Sequence, residues 1–256
     1  MILAVDIGNT NVVIGCAEGE DIIFFERVST NTLKTELEYV VELKTILDLH
    51  DIDKDRIEGA IISSVVPPLN TIFKSTIKKY LNVDPILVGP GVKTGLNIKM
   101  DNPAQVGADL IVNAVAGYKY YGAPLIMIDM GTATTLSALD SKANYIGGMI
   151  IPGVRVSLDS LVNRTSQLPR IALEAPDKCI GTNTIDCMKS GIVFGQAAMM
   201  DGLIDRMLEE LGEDATVVAT GGLAPSIMNY CKHDVIVDND LTLKGLALIY
   251  AKNVEA

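Results

Sequence analysis

Two stretches of the chain pair an aspartate with a polar turn at the end of a short apolar run. The first reads Val-Asp-Ile-Gly-Asn-Thr-Asn-Val over residues 5–12 and places Asp6 two positions before Gly8. Such a turn offers main-chain N–H groups, and its glycine lets a ligand approach the backbone closely. A carboxylate at the end of a buried strand can orient a hydrated divalent cation. Taken alone, the stretch is also compatible with an ordinary hairpin turn.

The second stretch repeats this pattern near the middle of the chain. It reads Ile-Asp-Met-Gly-Thr-Ala-Thr-Thr over residues 128–135, so that Asp129 again ends an apolar run and Gly131 follows two positions later. The recurrence of Asp-X-Gly at this spacing predicts a duplicated nucleotide-binding domain.

Two further motifs carry residues that could act on a ligand. Asn-Pro-X-X-Val-Gly-Ala-Asp ends at Asp109, in the first turn of a helix predicted over 108–121. The helix dipole favours an acidic residue there whatever its function, but a positioned carboxylate can also accept a proton from a hydroxyl group. Gly221 and Gly222 form a turn between a predicted strand and a predicted helix. A Gly-Gly turn alone is weak evidence for a site.

The elements that must position these residues follow a similar order in both halves of the chain. Short Val- and Ile-rich runs indicate strands, and apolar residues three and four positions apart indicate helices. Strands are predicted as a hairpin within 2–15 and over 21–28, 59–66, 85–88, 124–129, 134–139, 145–151 and 215–220. Helices are predicted over 36–49, 69–81, 108–121, 154–164, 184–211, 223–230 and 240–252.

Composition excludes several classes of protein. The 256 residues carry a formal net charge of −11, which argues against nucleic acid as a partner because there is no basic surplus to neutralise phosphates. Apolar runs stay shorter than the roughly 18–20 residues that span a bilayer, and the N-terminus lacks the basic region of a signal peptide. The four cysteines form no Cys-X-X-Cys pair, so reduced thiols are favoured over a zinc site or disulfides. We therefore expect a cytoplasmic protein that binds neither membranes nor nucleic acid.

The two Asp-X-Gly stretches and the later Gly-Gly turn, in this order, resemble the phosphate loops and adenosine turn of the actin-like ATPase and sugar-kinase superfamily. In detail, the amino-acid sequence is similar to that of the type III pantothenate kinase family over nearly the whole chain. The resemblance implies an α/β fold of duplicated ribonuclease-H-like domains with an interdomain cleft, divided here into 1–115 and 116–256. It implies a homodimer that phosphorylates pantothenate to 4′-phosphopantothenate with ATP, the first step of coenzyme A biosynthesis.

The resemblance also assigns roles to individual residues. Asp109 is the expected catalytic base, Asp6 would orient Mg²⁺ through water, and Asp129 would bind a monovalent cation, K⁺ or NH₄⁺. The residues expected to bind ATP are Asp6, Ile7, Gly8, Asn9, Thr10, Asn11, Val12, Val13, Thr132, Gly221 and Gly222. Those expected to bind pantothenate are Met100, Gly107, Ala108, Asp109, Leu110 and Thr184. Thr184 would reach its substrate across the subunit interface, and a role as a helix N-cap or first-turn residue is compatible with that.

Two positions of the expected acceptor site depart from the family. Met100 and Leu110 stand where the family usually has tyrosine and arginine. Arginine is a natural bidentate partner of the pantothenate carboxylate, and losing such a donor costs about 1.5–3 kcal/mol of binding. Lys99 or Arg155 could compensate.

The departures leave two alternatives open. One is a kinase of the same fold that phosphorylates a different, less anionic hydroxyl compound. The other is a regulatory paralogue that binds ATP without turnover, against which the retained Asp109 argues. A filament-forming relative is less expected because the chain has no room for the additional subdomains.

Overall fold

The computed structural model of the chain describes residues 1–254, which form eleven strands and seven α-helices. The strands are β1 (Ile2–Ile7), β2 (Asn11–Glu18), β3 (Asp21–Ser29), β4 (Gly59–Ser64), β5 (Ile86–Leu87), β6 (Asn97–Ile98), β7 (Leu125–Met130), β8 (Ala133–Leu139), β9 (Asn144–Pro152), β10 (Thr216–Thr220) and β11 (Ile236–Val237). The helices are α1 (Glu36–Leu49), α2 (Pro67–Leu81), α3 (Ala108–Tyr121), α4 (Val154–Asn163), α5 (Thr184–Leu211), α6 (Ala224–Met228) and α7 (Leu241–Val254).

These elements form two compact units, and the first comprises residues 1–96, 101–119 and 240–254. Its five-stranded sheet has the order β3-β2-β1-β4-β5. The β1–β2 and β2–β3 pairs are antiparallel, whereas β4 runs parallel to β1 and β5 runs parallel to β4. Because alternate residues of a strand face opposite sides, Val5 packs toward α1 and α2, whereas Ala4 packs toward α3 and α7.

Local sequence accounts for the starts of α1 and α2. Thr35 caps α1 through a capping box, in which its hydroxyl accepts from the Glu38 N–H and the Glu38 carboxylate accepts from the Thr35 N–H. Helix α2 begins at Pro67, two residues before the predicted start. Proline suits the first helical positions because the N–H that it lacks would have no partner inside the helix.

The second unit comprises residues 97–100 and 120–239 and has a six-stranded sheet in the order β11-β10-β7-β8-β9-β6. Strands β7, β8 and β9 form antiparallel pairs, and β10 and β11 add in parallel, which repeats the arrangement of the first unit. Helix α5 buries Val193, Ala197 and Met200 against this sheet. Strand β6, which pairs in parallel with β9, was not predicted from the sequence.

The terminal helix α7 belongs to the first unit, although it lies within the predicted C-terminal range 116–256. Leu246 and Ile249 are fully buried beside Val112 of α3. The Thr242 hydroxyl donates to Asn113 Oδ1 at 2.8 Å, so α7 is bound to α3 by a hydrogen bond as well as by apolar contacts. Within residues 1–254, none of the helices has both the length and the apolar character required to cross a bilayer.

Candidate active site

The loop between β1 and β2 presents the first predicted phosphate-binding residues. Asp6 is half-buried at the end of β1, opposite Val13 of β2. The Gly8 N–H donates to the Asn11 carbonyl at 3.0 Å and closes the turn. Asn9, Thr10 and Asn11 are exposed, so their polar groups can reach a ligand. The predicted hairpin is therefore confirmed, with an exposed turn next to a partly buried carboxylate.

Two of the residues expected to bind ATP contribute no side chain to the surface. Ile7 and Val12 are both 0% exposed and belong to the apolar core. Since their side chains pack between the sheet and its helices, only their main-chain groups could face a nucleotide.

Thr30 fixes the conformation of this loop from the end of β3. Its hydroxyl donates to the Gly8 carbonyl at 2.6 Å, and its N–H donates to the Thr10 carbonyl at 2.9 Å. Sequence reasoning missed Thr30 because the residue lies in a polar segment with no motif of its own. The register of β2 and β3, which brings Asn11 opposite Ser29, places Thr30 beside the loop.

The second predicted phosphate-binding loop, between β7 and β8, is approached closely by two glycines of the same unit, Gly153 and Gly221. Gly131 and Thr132 are exposed at its tip, and the Gly131 N–H donates to the Ala133 carbonyl at 3.1 Å. A methyl group on Gly153 would lie 2.7 Å from the Gly131 carbonyl oxygen and would also collide with that of Thr132. The loop can therefore keep this position only if residue 153 has no side chain.

Gly221 approaches the same loop from the end of β10. It has a φ of +93°, and a methyl group there would lie 2.7 Å from the Met130 N and C atoms and 2.8 Å from Asp129 Oδ1. The structure thus brings Asp129, the second loop and the Gly221-Gly222 turn together within one unit. The binding roles that the resemblance implies for these residues stay predictions.

Asp109 lies in the first turn of α3 and is half-buried. The Leu110 N–H donates to its Oδ1 at 2.9 Å. Burial raises the pKa of the Asp109 carboxyl above its ordinary value, and the N–H groups of Leu110 and Asp109 oppose part of that increase. A methyl group on Gly107 would collide with Asp109 Oδ1, so the glycine provides the space that the carboxylate occupies.

The two residues that depart from the family lie in different units. Met100 belongs to the second unit, where it is 37% exposed and its Sδ lies near Gly147, whereas Leu110 is half-buried in the first unit. Lys99, one of the two cations that could replace the missing arginine, has its ammonium 3.8 Å from Asp140 Oδ2. Because this carboxylate already accompanies the ammonium, the structure gives no support for Lys99 as a substitute.

Thr184 is the first residue of α5, and its exposed side chain does not cap the helix. The N-cap is Asn183, whose side chain accepts from the Asp186 N–H at 2.9 Å. Thr184 lines an open groove of about 760 Å³ whose wall includes Leu168 and Met188. The Thr184 hydroxyl therefore remains accessible at the surface of the second unit.

The described residues suit a divalent cation that keeps most of its water ligands better than a cation bound mainly by protein side chains. Within residues 1–254, no group of three or more His, Cys, Asp or Glu side chains is arranged to hold a metal ion. Mg²⁺ commonly keeps several waters and is held by one or two carboxylates together with substrate phosphates. The half-buried carboxylate of Asp6, beside an exposed polar loop, suits that second mode.

Solved structures of low sequence identity share the fold. The (R)-2-hydroxyglutaryl-CoA dehydratase component A of Acidaminococcus fermentans aligns with a TM-score of 0.59 and 14% identity, over 100% of this chain and 99% of that chain. The activator of the 2-hydroxyisocaproyl-CoA dehydratase from Clostridium difficile, solved with bound ADPNP, gives a TM-score of 0.54 and 15% identity, with coverages of 100% and 97%. The predicted fold class, the duplicated architecture of actin-like ATPases and sugar kinases, is confirmed.

Sequence comparisons identify the family. A relative from Exiguobacterium sp. is 48% identical over 99% of both chains, and one from Halalkalibacterium halodurans is 46% identical over 99% of this chain and 100% of its own. Both are named type III pantothenate kinase. The model of that family matches residues 2–206. The chain therefore belongs to the type III pantothenate kinase family.

Proposed function

We propose that this chain transfers the γ-phosphate of ATP to the primary hydroxyl of pantothenate and yields 4′-phosphopantothenate for coenzyme A biosynthesis. The observation that carries the proposal is the desolvated carboxylate of Asp109 at the start of α3, in a chain 46–48% identical to pantothenate kinases over almost its whole length. A carboxylate with a raised pKa is a stronger base than an ordinary aspartate and can accept the proton of an attacking hydroxyl.

The remaining residues position the reactants and neutralise charge, which is most of what phosphoryl transfer requires from a protein. We assign the phosphates to the main-chain N–H groups and polar side chains of residues 8–11 and to Thr132. The flat backbone of Gly221 and Gly222 would lie against the adenosine. Asp109 would hold the acceptor hydroxyl for in-line attack and take its proton.

Cations complete the assignment. Asp6 would hold Mg²⁺ through water, and the bound ion would neutralise charge that develops on the transferred phosphoryl group. Asp129 is the proposed ligand of a monovalent cation, because its carboxylate lies beside both Gly221 and the second loop.

We place the reaction in the cytoplasm. The four cysteines, all within the described part of the chain, are unpaired thiols, as expected in a reducing compartment.

We further propose that the active enzyme is a homodimer in which Thr184 of one protomer completes the acceptor site of its partner. Two features of the second unit support this: the Thr184 side chain is exposed at the rim of an open groove, and Ile180 nearby is 84% exposed. Exposed apolar side chains that are grouped together mark interaction sites, and Leu161, which lines the same groove, is also 38% exposed.

Two measurements test these proposals. Pantothenate-dependent release of ADP, at saturating Mg²⁺ and K⁺, should appear with the wild-type protein; ATP binding without such release would exclude the activity.

Mixing inactive Asp109→Asn and Thr184→Val proteins tests the shared site, because each mixed dimer would contain one intact site. Random mixing predicts recovery of about a quarter of wild-type activity. If the mixture stays inactive while the variants exchange subunits, Thr184 does not act in trans.

A further inference from the structure

Asp6 and Ser63 are direct partners in the parallel register of β1 and β4. Neighbouring strands lie about 4.8 Å apart, and residues paired in this way extend their side chains to the same face of the sheet. Ser63 is therefore the residue of β4 that stands beside the Asp6 carboxylate. The partner of Asp6 on its other side, in β2, is the apolar Val13.

The hydroxyl of Ser63 is buried without a hydrogen bond. The residue is 0% exposed, and its Oγ has no hydrogen-bond partner among residues 1–254. The adjacent Ser64 differs, because its Oγ accepts from the Val66 N–H at 3.1 Å. Buried polar groups in proteins are nearly always hydrogen-bonded, so an unpartnered hydroxyl indicates a missing partner such as water, an ion or a ligand.

Packing alone does not account for a serine at this position. Ala60, Ile61 and Ile62, which precede it in β4, are fully buried and apolar. Alanine would fill almost the same volume as Ser63 without an unsatisfied hydroxyl. The hydroxyl therefore requires an explanation other than packing.

The second unit repeats this juxtaposition. Asp129 of β7 is paired in parallel register with Thr220 of β10, and Thr220 is 3% exposed. Each half of the duplicated fold thus places a buried hydroxyl residue on the parallel strand beside its loop aspartate. Because the same pairing recurs in the second sheet, a relation between the hydroxyl and the carboxylate is favoured over a chance placement of Ser63 beside Asp6.

We propose that Ser63 is a positioning residue for Asp6. When Mg²⁺ and nucleotide bind, the Ser63 hydroxyl donates to one carboxylate oxygen of Asp6 and holds the other toward the water shell of the ion. The two side chains extend from paired positions on one face, so rotation about χ1 of Ser63 is the movement that would direct its hydroxyl toward the carboxylate. The inference rests on the proposed binding of Mg²⁺ and ATP but not on the identity of the acceptor.

The test measures cation affinity directly. Binding of Mn²⁺, in place of Mg²⁺, to the protein with a non-hydrolysable ATP analogue is followed by electron paramagnetic resonance for wild type, Ser63→Ala, Ser63→Thr and Asp6→Ala. Ser64→Ala is the matched control, because it removes the neighbouring hydroxyl, which already has a partner in the main chain. The melting temperature of each protein is recorded in parallel.

We expect Ser63→Ala to weaken Mn²⁺ binding roughly tenfold, as the loss of a hydrogen bond to a charged group predicts. Its melting temperature should be unchanged or higher, because the substitution removes an unsatisfied buried hydroxyl. Ser63→Thr should keep most of the affinity, and Ser64→Ala should stay within about twofold of wild type. In turnover assays Ser63→Ala should raise the KM for Mg²⁺ more than it lowers kcat.

Three results would overturn the inference. The first is wild-type Mn²⁺ affinity in Ser63→Ala. The second is unchanged affinity in Asp6→Ala, which would remove the cation from Asp6 altogether. The third is a fall in melting temperature that accompanies the loss of affinity in both Ser63 variants, which indicates a structural role. An absence of pantothenate turnover would contradict the proposed function and not this inference. The Mn²⁺ affinities of wild type and Ser63→Ala would still decide the role of Ser63.

Discussion

Gly221 lies so close to Asp129 that a methyl group on the glycine would fall 2.8 Å from the carboxylate oxygen. This relationship joins the turn assigned to adenosine and the aspartate assigned to a monovalent cation. It also explains why the turn requires glycine, since the φ of +93° is one that residues with a side chain rarely adopt. Nucleotide binding and the position of Asp129 should therefore respond together to a change at residue 221.

Replacing Gly221 by alanine should weaken ATP binding by at least tenfold and destabilise the protein by about 1–3 kcal/mol, because it adds both backbone strain and a collision with Met130. Isothermal titration with an ATP analogue and urea unfolding measure the two effects. Gly212→Ala is the control: Gly212 also has positive φ, +71°, but has open space around it. Its variant should lose stability and keep its ATP affinity, and equal ATP affinities in the two variants would contradict the prediction.

Thr30→Val should raise the KM for ATP several-fold. The substitution removes the hydroxyl that donates to the Gly8 carbonyl and keeps the size of the side chain, at a cost of about 1 kcal/mol of stability. Steady-state kinetics and thermal unfolding measure both. Thr45→Val, which removes a hydroxyl bonded to the Val41 carbonyl within α1, should leave the KM for ATP unchanged. A change of similar size in both variants would show that Thr30 has no specific role in the loop.

The raised pKa of Asp109 predicts how activity depends on pH. A base must be ionised, so kcat/KM for the acceptor should fall as the pH decreases through a value above the ordinary aspartate pKa. An acid limb at or below the ordinary aspartate value would contradict the assignment of Asp109 as the base.

The same shift predicts the stability of Asp109→Asn. Because burial raises the folded-state pKa, the stability associated with this group is present at low pH and is lost as the pH rises through the folded-state pKa. At neutral pH the asparagine variant should therefore be at least as stable as wild type while its turnover falls by roughly a hundredfold or more. Thermal unfolding at pH 4 and pH 7 checks this, and a large loss of stability at neutral pH would show that the carboxylate is structural.

Leu110→Arg tests the departure in the acceptor site. If the acceptor is pantothenate, restoring the family's arginine should lower the KM for pantothenate roughly tenfold to a hundredfold, as a charge-assisted hydrogen bond predicts. Lys119→Arg is a control, because Lys119 forms a surface ion pair with Glu20 at 3.2 Å. If Leu110→Arg raises the KM for pantothenate while ATP binding is unchanged, the pocket accepts a less anionic compound.

Local patterns predicted most helices and strands, and the register of the sheets explains the rest. The bounds of α1, α3 and α5 match the prediction, because apolar spacing and capping act within one segment. Strand β6 escaped prediction because it contains only Asn97 and Ile98, which are ordered by pairing with Asn144 and Tyr145 far along the chain. Two residues are too few for any periodic pattern to show.

The candidate site likewise contains residues that local motifs predict and residues that only strand pairing brings into place. The sequence motifs pointed to Asp6, Asp129, Asp109 and the Gly-Gly turn because each lies in a recognisable local pattern. Thr30 and Ser63 have no motif, and their relations to Gly8 and Asp6 arise from strand pairing between segments that are distant along the chain. Sequence spacing alone cannot specify such neighbours.

Following the phosphoryl group itself tests whether this protein phosphorylates pantothenate with Asp109 as the base. Wild type and Asp109→Asn are incubated with pantothenate, Mg²⁺, K⁺ and ATP labelled in its γ-phosphate, and the products are separated and identified by mass spectrometry. We expect labelled 4′-phosphopantothenate from wild type and almost none from Asp109→Asn, although both bind ATP with similar affinity. Label that stays in ATP, or that Asp109→Asn transfers as fast as wild type, would contradict this expectation.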